Sequence, residues 1–186
     1  MPRLLGVAVA LAALAPAGAP AAEPFPAAIG GPFSLIDHRG RSVSDRDFRG
    51  RFMLVFFGYA NCRGICPVGL HTMTDAVDLL GERAERVQPV LITVDPETDT
   101  PEALAAKLPE IHPRLIGLTG TPDALAAARR AYKVAATPVA RSREGTTIFS
   151  HGTFVYLMGP DGDLLSVLPP VMDSETMAAT IGRYLE

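Results

Sequence analysis

Cys62 and Cys66 are the only cysteines among the 186 residues, and three residues separate them. They follow a strongly apolar run, residues 52–59 (FMLVFFGY), and Pro67 comes directly after the second cysteine. A buried strand that leads into a thiol loop and then into a helix presents sulfur to solvent. The partial positive charge at a helix N-terminus favours the thiolate form of a cysteine. Such a pair can perform redox chemistry, bind a soft metal ion, or do both.

The composition is that of a globular protein. Apolar residues make up 48% of the chain and charged residues 20%, which suits one domain with a buried core. The formal net charge is −3, and lysine and arginine are scattered along the chain. Because a phosphate backbone needs a basic patch, we expect no nucleic acid among the partners.

The N-terminus has the pattern of a secretory signal. Arg3 supplies a positive charge, residues 4–15 are apolar, and residues 19–21 (APA) fit a cleavage site. We expect a signal over residues 1–21, a Pro/Ala linker over 22–29 and a single domain over 30–186. An uncleaved membrane anchor is the alternative, and it is the one route to membrane association. Both versions predict a periplasmic or other extracytoplasmic location, where two nearby thiols can form a disulfide.

Strand and helix patterns alternate along the domain. The predicted strands are residues 33–37, 42–43, 52–59, 87–94, 114–118, 153–158 and 164–168. The predicted helices are residues 67–81, 101–107, 122–132 and 173–185. Residues 138–149 are polar without periodicity and are predicted to form a long loop or a hairpin.

This order predicts an α/β fold with a central mixed sheet and flanking helices. An N-terminal hairpin opens the domain, and a long loop or hairpin precedes His151. A thiol pair between the first long strand and a helix suits the thioredoxin-like architecture. A pure thiol–disulfide oxidoreductase normally carries CxxC, not CxxxC. It also places a proline before the strand at residues 153–158, where this chain has Ser150-His151-Gly152.

Several motifs, in order from residue 30 to the C-terminus, resemble the Sco (SenC) family of copper-binding proteins. They are Gly30-Gly31-Pro32-Phe33, Asp47-Phe48-Arg49-Gly50, Phe57-Gly58-Tyr59 with Cys62 and Cys66-Pro67, Asp95-Pro96-Glu97-Thr98-Asp99-Thr100-Pro101, Gly117-Leu118-Thr119-Gly120-Thr121 and Ser150-His151-Gly152-Thr153. A lone CxxxC is a weak signal, but this ordered set covers nearly the whole predicted domain.

The resemblance implies a thioredoxin-like fold and one copper ion, Cu(I) or Cu(II), bound by Cys62, Cys66 and His151. It also implies delivery of copper to the CuA site of cytochrome c oxidase, or reduction of thiols during its assembly. The expected partner is the copper-bearing oxidase subunit or another copper or thiol client protein. Thiolate and imidazole ligands suit both copper oxidation states, whereas structural zinc normally has four protein ligands.

Three positions depart from the usual family pattern. Arg63 and Gly64 stand where Pro and Asp are expected, and Thr98 stands where an Arg is usual. The first two changes alter the local charge beside the metal by about two, which can weaken cation binding or lower the cysteine pKa values. The three expected ligands are unaffected.

Other assignments stay open on the sequence. The cysteines could serve a disulfide reductase or a redox sensor instead of a metallochaperone. Among the other histidines, His71 is the second candidate ligand, while His38 is expected in a turn and His112 in solvent. Asp95 and Asp99 are candidates for orienting the metal site through hydrogen bonds, or they simply cap the turn between a strand and a helix.

Overall fold

The structure, a computed structural model, describes residues 29–62, 64, 66–143 and 145–186. The predicted signal segment and all but the last residue of the predicted linker lie outside the described residues, as does Arg63. The division of the chain at residues 21 and 29 therefore stays a prediction. Within the described part of the chain, no helix is long and apolar enough to cross a membrane.

A seven-stranded mixed sheet forms the centre of the fold, in the order β2-β1-β5-β4-β3-β8-β9. β3, β4 and β5 are parallel to one another, and the outer strands are antiparallel to their neighbours. A separate two-stranded sheet pairs β6 with β7. The strands are β1 Ser34–Asp37, β2 Ser42–Ser44, β3 Phe52–Gly58, β4 Val87–Thr93, β5 Ile116–Thr119, β6 Ala136–Arg141, β7 Thr147–His151, β8 Val155–Met158 and β9 Leu164–Leu168.

Four α-helices in the described part of the chain flank the central sheet. They are α1 Cys66–Asp78, α2 Pro101–Ile111, α3 Pro122–Ala131 and α4 Ser174–Gly182. α1 packs against both α2 and α4. Phe56 of β3 points toward α1, where its ring leaves no room for a side chain at Gly69. The next residue, Phe57, lies on the opposite face and contacts Tyr132 at the end of α3, with ring centroids 5.3 Å apart.

β3 and β4 are the buried centre of this sheet. All seven residues of each strand are buried, which explains why their sequences are largely apolar and do not alternate with polar residues. Pro89 pairs with Leu54 of β3, but the ladder from β4 to β5 begins only at Val90. Proline cannot donate a ladder hydrogen bond, which explains why pairing on the β5 side begins only after it.

The predicted helix starts are confirmed, because Thr100, Thr121 and Asp173 each accept a main-chain N–H three residues ahead. The predicted end of α2 at residue 107 is wrong, since the helix continues to Ile111. Leu108 is buried in this last turn, and its methyl group occupies the space beside Gly117 where a side chain would otherwise lie. Tertiary packing thus extends the helix through Pro109.

The region predicted as a loop or hairpin is a hairpin. β6 and β7 pair antiparallel from Ala136 opposite His151 to Arg141 opposite Thr147, with an irregularity near Val139. Sequence periodicity does not reveal these strands, because most of their residues are exposed or half-buried. The architecture as a whole confirms the predicted α/β fold, with its mixed sheet, flanking helices, N-terminal hairpin and hairpin before His151.

Candidate metal centre

Two neighbouring strands bring the thiol loop and His151 to the same edge of the sheet. β3 pairs antiparallel with β8, and the last pair of this ladder joins Phe56 to Val155. The chain that leaves β3 toward Cys62 therefore lies beside the chain that enters β8 from His151. This pairing brings together Cys66 and His151, which are 85 positions apart in the sequence.

The three side chains form a compact cluster. Nε2 of His151 lies 3.2 Å from Sγ of Cys66, and the ligand atoms of Cys62, Cys66 and His151 all lie within 4.8 Å of one another. Cys66, the first residue of α1, is fully buried, while Cys62 and His151 are half-buried. Both cysteines are free thiols. The structure thus brings together all three residues that the sequence indicated.

The orientation of the His151 ring is set by its surroundings. Nδ1 lies 3.0 Å from the carbonyl oxygen of Gly152 and can donate to it, which leaves the lone pair of Nε2 facing the sulfurs. The rings of Phe56 and Tyr59 approach the imidazole edge-on, with centroid distances of 6.4 and 6.0 Å. Metal-binding histidines usually have this arrangement, in which one ring nitrogen donates to an oxygen and the other faces the metal site.

The two thiols have opposite acid–base character. A hydrogen bond from the Cys66 thiol lowers the pKa of Cys62, and the His151 ring and the Gly64 N–H add to this effect. The Gly64 nitrogen lies 3.4 Å from the Cys62 sulfur. Donation to Cys62, together with burial, raises the pKa of Cys66 well above its ordinary value. Cys62 therefore carries the thiolate and Cys66 the proton.

The Cys62 thiolate changes the pKa values of His151 and Tyr59. Burial by itself would lower the pKa of His151, but its interactions with the Cys62 thiolate and the Gly152 carbonyl outweigh this, and the pKa is raised. Burial and the nearby Cys62 thiolate raise the pKa of Tyr59 to about 12. The phenol of Tyr59 is therefore neutral at any physiological pH.

The two predicted orienting carboxylates behave differently. Asp99 is fully buried, and its Oδ2 accepts the N–H of Ala60 at 3.0 Å and the hydroxyl of Thr93 at 2.6 Å. Asp95 is also buried, but it joins the network through its main chain, which donates to Thr93 and accepts the N–H of Asp99. Asp99 therefore contacts the thiol loop, whereas Asp95 shapes the turn behind it.

The remaining histidines lie outside the cluster. His71 is exposed and lines a cavity of about 380 Å³ that also reaches both cysteines. His38 lies in the predicted turn and accepts the N–H of Gly117. The prediction that His112 is solvated is wrong, because it is buried and its ring lies 3.1 Å from the Asp78 carboxylate.

Sequence reasoning did not single out three contributors to the centre. Phe149 packs against Tyr59 at a centroid distance of 5.5 Å, the Gly64 amide faces the Cys62 sulfur, and the Thr93 hydroxyl connects Asp95 with Asp99. A threonine at the end of an otherwise apolar strand was the visible signal for Thr93. The other two depend on how the hairpin and the loop fold.

Comparison with known proteins supports the resemblance seen in the sequence. The SCO1/SenC family model matches residues 21–186. The human mitochondrial SCO1 homologue is 35% identical over 159 residues, which cover 84% of this chain and 53% of that protein. Protein SenC of Rhodobacter capsulatus is 39% identical over 160 residues, which cover 86% of this chain and 72% of that protein.

Solved structures show the same relationship. The structure of Bradyrhizobium japonicum ScoI with copper bound superimposes with a TM-score of 0.78 at 36% identity, covering 84% of this chain and 99% of that one. Yeast Sco1 with copper bound gives 0.78 at 32% identity, covering 85% and 88%. The fold and the site thus define a thioredoxin-like protein with a thiol–imidazole centre. The chain belongs to the SCO1/SenC family, although it spans only about half the length of its human relative.

The asymmetry of the two thiols predicts selective reactivity in the reduced, metal-free protein. We expect iodoacetamide to modify Cys62 faster than Cys66, and to keep modifying it below pH 7, where an ordinary thiol is protonated. Mass spectrometry after timed quenching measures both rates. In Cys66→Ala, which lacks the hydrogen-bond donor, the reaction of Cys62 should shift to higher pH. Equal rates at the two cysteines would contradict the assignment of the thiolate.

Asp99 predicts a pH dependence of stability. Burial outweighs its two hydrogen bonds and raises the pKa of Asp99 to about 6. The folded state then binds this proton more tightly than the unfolded state, so stability falls as pH rises from about 4 to about 6. Asn does not titrate, so the free energy of unfolding of Asp99→Asn should not show this fall. Between pH 4 and pH 7 it should therefore rise relative to that of wild type by up to about 3 kcal/mol. Urea unfolding at several pH values measures the difference.

Asp37 provides a control, because its pKa is shifted in the opposite direction from that of Asp99. Burial would raise the pKa of Asp37, but the main-chain N–H groups of Arg41 and Arg39 and the Arg41 guanidinium outweigh it, and the pKa is lowered. Asp37→Asn should therefore lose stability relative to wild type as pH rises through the acid range. Parallel pH profiles for the two variants would contradict the assignment for Asp99.

Proposed function

We propose that this protein is a copper metallochaperone that binds one copper ion through Cys62, Cys66 and His151. The observation that carries the proposal is the cluster itself, two sulfurs and one imidazole nitrogen within 4.8 Å of one another at the edge of the sheet. The copper-bound relatives from Bradyrhizobium japonicum and yeast support it. Copper is the cargo in this proposal, so the site must release it as well as bind it.

The chemistry of the donor set fits copper. Thiolates favour Cu(I), imidazole also suits Cu(II), and a site with only three protein ligands leaves a position open to an incoming partner. Cys62 is ready to bind as the thiolate, and Nε2 of His151 faces the sulfurs. The Cys66 proton must leave when the metal binds, so affinity should rise with pH.

The state of the two thiols would control loading. Oxidation of Cys62 and Cys66 to a disulfide removes two of the three ligands and releases two electrons, which a client disulfide can accept. We infer that the reduced protein carries copper and the oxidised protein does not. We further propose that the client is the copper-bearing subunit of cytochrome c oxidase, whose CuA site would receive the ion.

The proposed location follows from the N-terminal pattern. Residues 1–21 would direct the domain to the periplasm or another extracytoplasmic space, as a cleaved signal or an uncleaved anchor. Mitochondrial proteins occur among the relatives. An extracytoplasmic setting is also one in which the thiol pair could change its redox state.

A second function, disulfide reduction, is favoured by the opposite character of the two thiols. The half-exposed Cys62 thiolate could attack a client disulfide, which forms a mixed disulfide and releases one client sulfur as a thiolate. Cys66, after losing its proton, could then attack the Cys62 sulfur, form the Cys62–Cys66 disulfide and release the second client sulfur. The client would leave with two reduced cysteines, and the two residues here would end as a disulfide. This chemistry needs no metal and no ligand role for His151.

Copper titration of the reduced domain distinguishes the two functions. We expect one equivalent to bind tightly, with Cu(II) followed by its sulfur-to-metal charge-transfer absorption and Cu(I) by competition with a chelator. Cys62→Ser, Cys66→Ser and His151→Ala should each weaken binding at least tenfold, because each removes one ligand. His71→Ala is the matched control, since His71 lines the neighbouring cavity but lies outside the cluster, and it should bind as wild type does.

Two results would overturn the chaperone proposal. One is the absence of stoichiometric copper binding by the reduced wild-type protein, and the other is unchanged affinity in either serine variant. Catalytic turnover of a disulfide substrate with a thiol donor, unaffected by His151→Ala, would then establish the reductase function instead.

A further inference from the structure

We propose that Asp99 is a positioning residue, whose carboxylate holds the main chain at Ala60 and thereby fixes the loop that carries Cys62. The structural part of this inference stands on the hydrogen bonds alone. Its consequence for copper rests on the proposed function above.

Ala60 is the point where the thiol loop departs from the sheet. The parallel hydrogen bonding between β3 and β4 continues to the N–H of Val94, which donates to the carbonyl of Gly58 at 2.8 Å. Two residues later the N–H of Ala60 turns away from the ladder and donates to Oδ2 of Asp99 at 3.0 Å. One carboxylate oxygen therefore provides the acceptor that the sheet no longer supplies.

Asp99 is itself held firmly. The hydroxyl of Thr93 donates to the same Oδ2 at 2.6 Å and accepts the N–H of Asp95 at 2.9 Å. The N–H of Asp99 donates to the carbonyl of Asp95 at 2.9 Å. Main-chain and side-chain hydrogen bonds therefore hold Asp99 at the end of β4. Its bond from the Ala60 N–H connects the thiol loop to the same strand.

This arrangement is costly, which argues that it serves more than the local turn. Oδ1 of Asp99 is buried and has no hydrogen-bond partner in the described part of the chain. Burying a carboxylate with one oxygen unpaired opposes folding. Natural proteins retain such costs mainly where a site needs a particular geometry. Here the costly group joins the end of β4 to the thiol loop.

Cys62 is the ligand that most needs this support. Cys66 is buried at the start of α1, and His151 is held by the Gly152 carbonyl and two aromatic rings. Cys62 is only half-buried, and its main chain is held locally by a bond from its N–H to the carbonyl of Tyr59 at 3.2 Å. Asp99 connects this loop to the sheet, so its loss should displace Cys62 relative to the other two ligands.

Amide hydrogen exchange in the reduced, metal-free protein tests the structural part. The Ala60 amide should be protected in wild type, whereas that of Asn61, an exposed residue with no hydrogen bond in the described structure, should exchange freely. In Asp99→Ala the Ala60 amide should exchange at least tenfold faster. Asp99→Asn keeps an acceptor oxygen and should largely restore protection.

Copper release tests the functional part. We expect copper-loaded Asp99→Ala to lose its metal to a chelator at least tenfold faster than wild type and to show a shifted charge-transfer band. Asp37→Ala is the matched control, because Asp37 is also buried and accepts main-chain N–H groups of a turn, but in the β1–β2 hairpin. It should release copper at the wild-type rate even if its melting temperature falls.

The outcomes test separately whether Asp99 holds Ala60 and whether this affects copper binding. An unprotected Ala60 amide in wild type, or unchanged exchange in Asp99→Ala, overturns the positioning role whatever copper does. The wild-type measurement also decides the matter if Asp99→Ala does not fold. Faster exchange with unchanged copper release and spectrum would overturn the link to the metal centre. Failure of the wild-type protein to bind copper would instead refute the proposed function and leave the exchange result intact.

Discussion

The antiparallel pairing of β3 with β8 is the constraint on which the candidate metal centre depends. β3 delivers the thiol loop to one edge of the sheet, and β8 receives the chain from His151 at that same edge. All the residues of both strands are buried, so a slip by one residue would exchange the side chains that pack on the two faces of the sheet. Side-chain packing on both faces therefore holds the register. Phe56 illustrates the coupling, since it packs beneath α1 and also contacts the His151 ring.

Within the centre, the hydrogen bond from Cys66 to Cys62, together with the deeper burial of Cys66, sets the pKa values of the two thiols apart. Cys66 is enclosed at the start of α1, where losing its proton would leave a charge in an apolar setting. Cys62 lies in the more open loop, where it accepts hydrogen bonds from Cys66 and the Gly64 amide. The negative charge therefore resides on the sulfur nearer to solvent. A partner that approaches from outside meets the charged ligand first, which suits both transfer of a soft cation and attack on a disulfide.

Gly64, which stands where the family usually has Asp, lies close to the Cys62 sulfur. The expected Asp is absent there, and the main-chain N–H of Gly64 faces the Cys62 sulfur. Any residue other than proline would offer this main-chain N–H, but an Asp would add a side chain that begins 3.7 Å from the Cys62 sulfur. Its negative charge would disfavour the thiolate. Carboxylates nearby are instead kept behind the loop, where Asp99 is buried against the end of β4. In our proposal, this buried acid orients the loop without joining the cluster of Cys62, Cys66 and His151.

Much of this protein could be predicted from its sequence, because local physics marks it. Largely apolar runs identify β3 and β4, and threonine–proline pairs mark two helix starts. The spacing of Cys62 and Cys66 before a proline identifies the thiol loop. Periodicity could not find β6 and β7, whose strands are poorly buried, nor the last turn of α2, which Leu108 holds through its packing against β5. The motif resemblance indicated Cys62, Cys66 and His151, but only the tertiary structure shows that their ligand atoms meet. The choice of Cys62 as the thiolate and the bond from Ala60 to Asp99 were likewise decided by the tertiary structure. Each depends on distances and burial between segments far apart in the chain, and local sequence does not encode these.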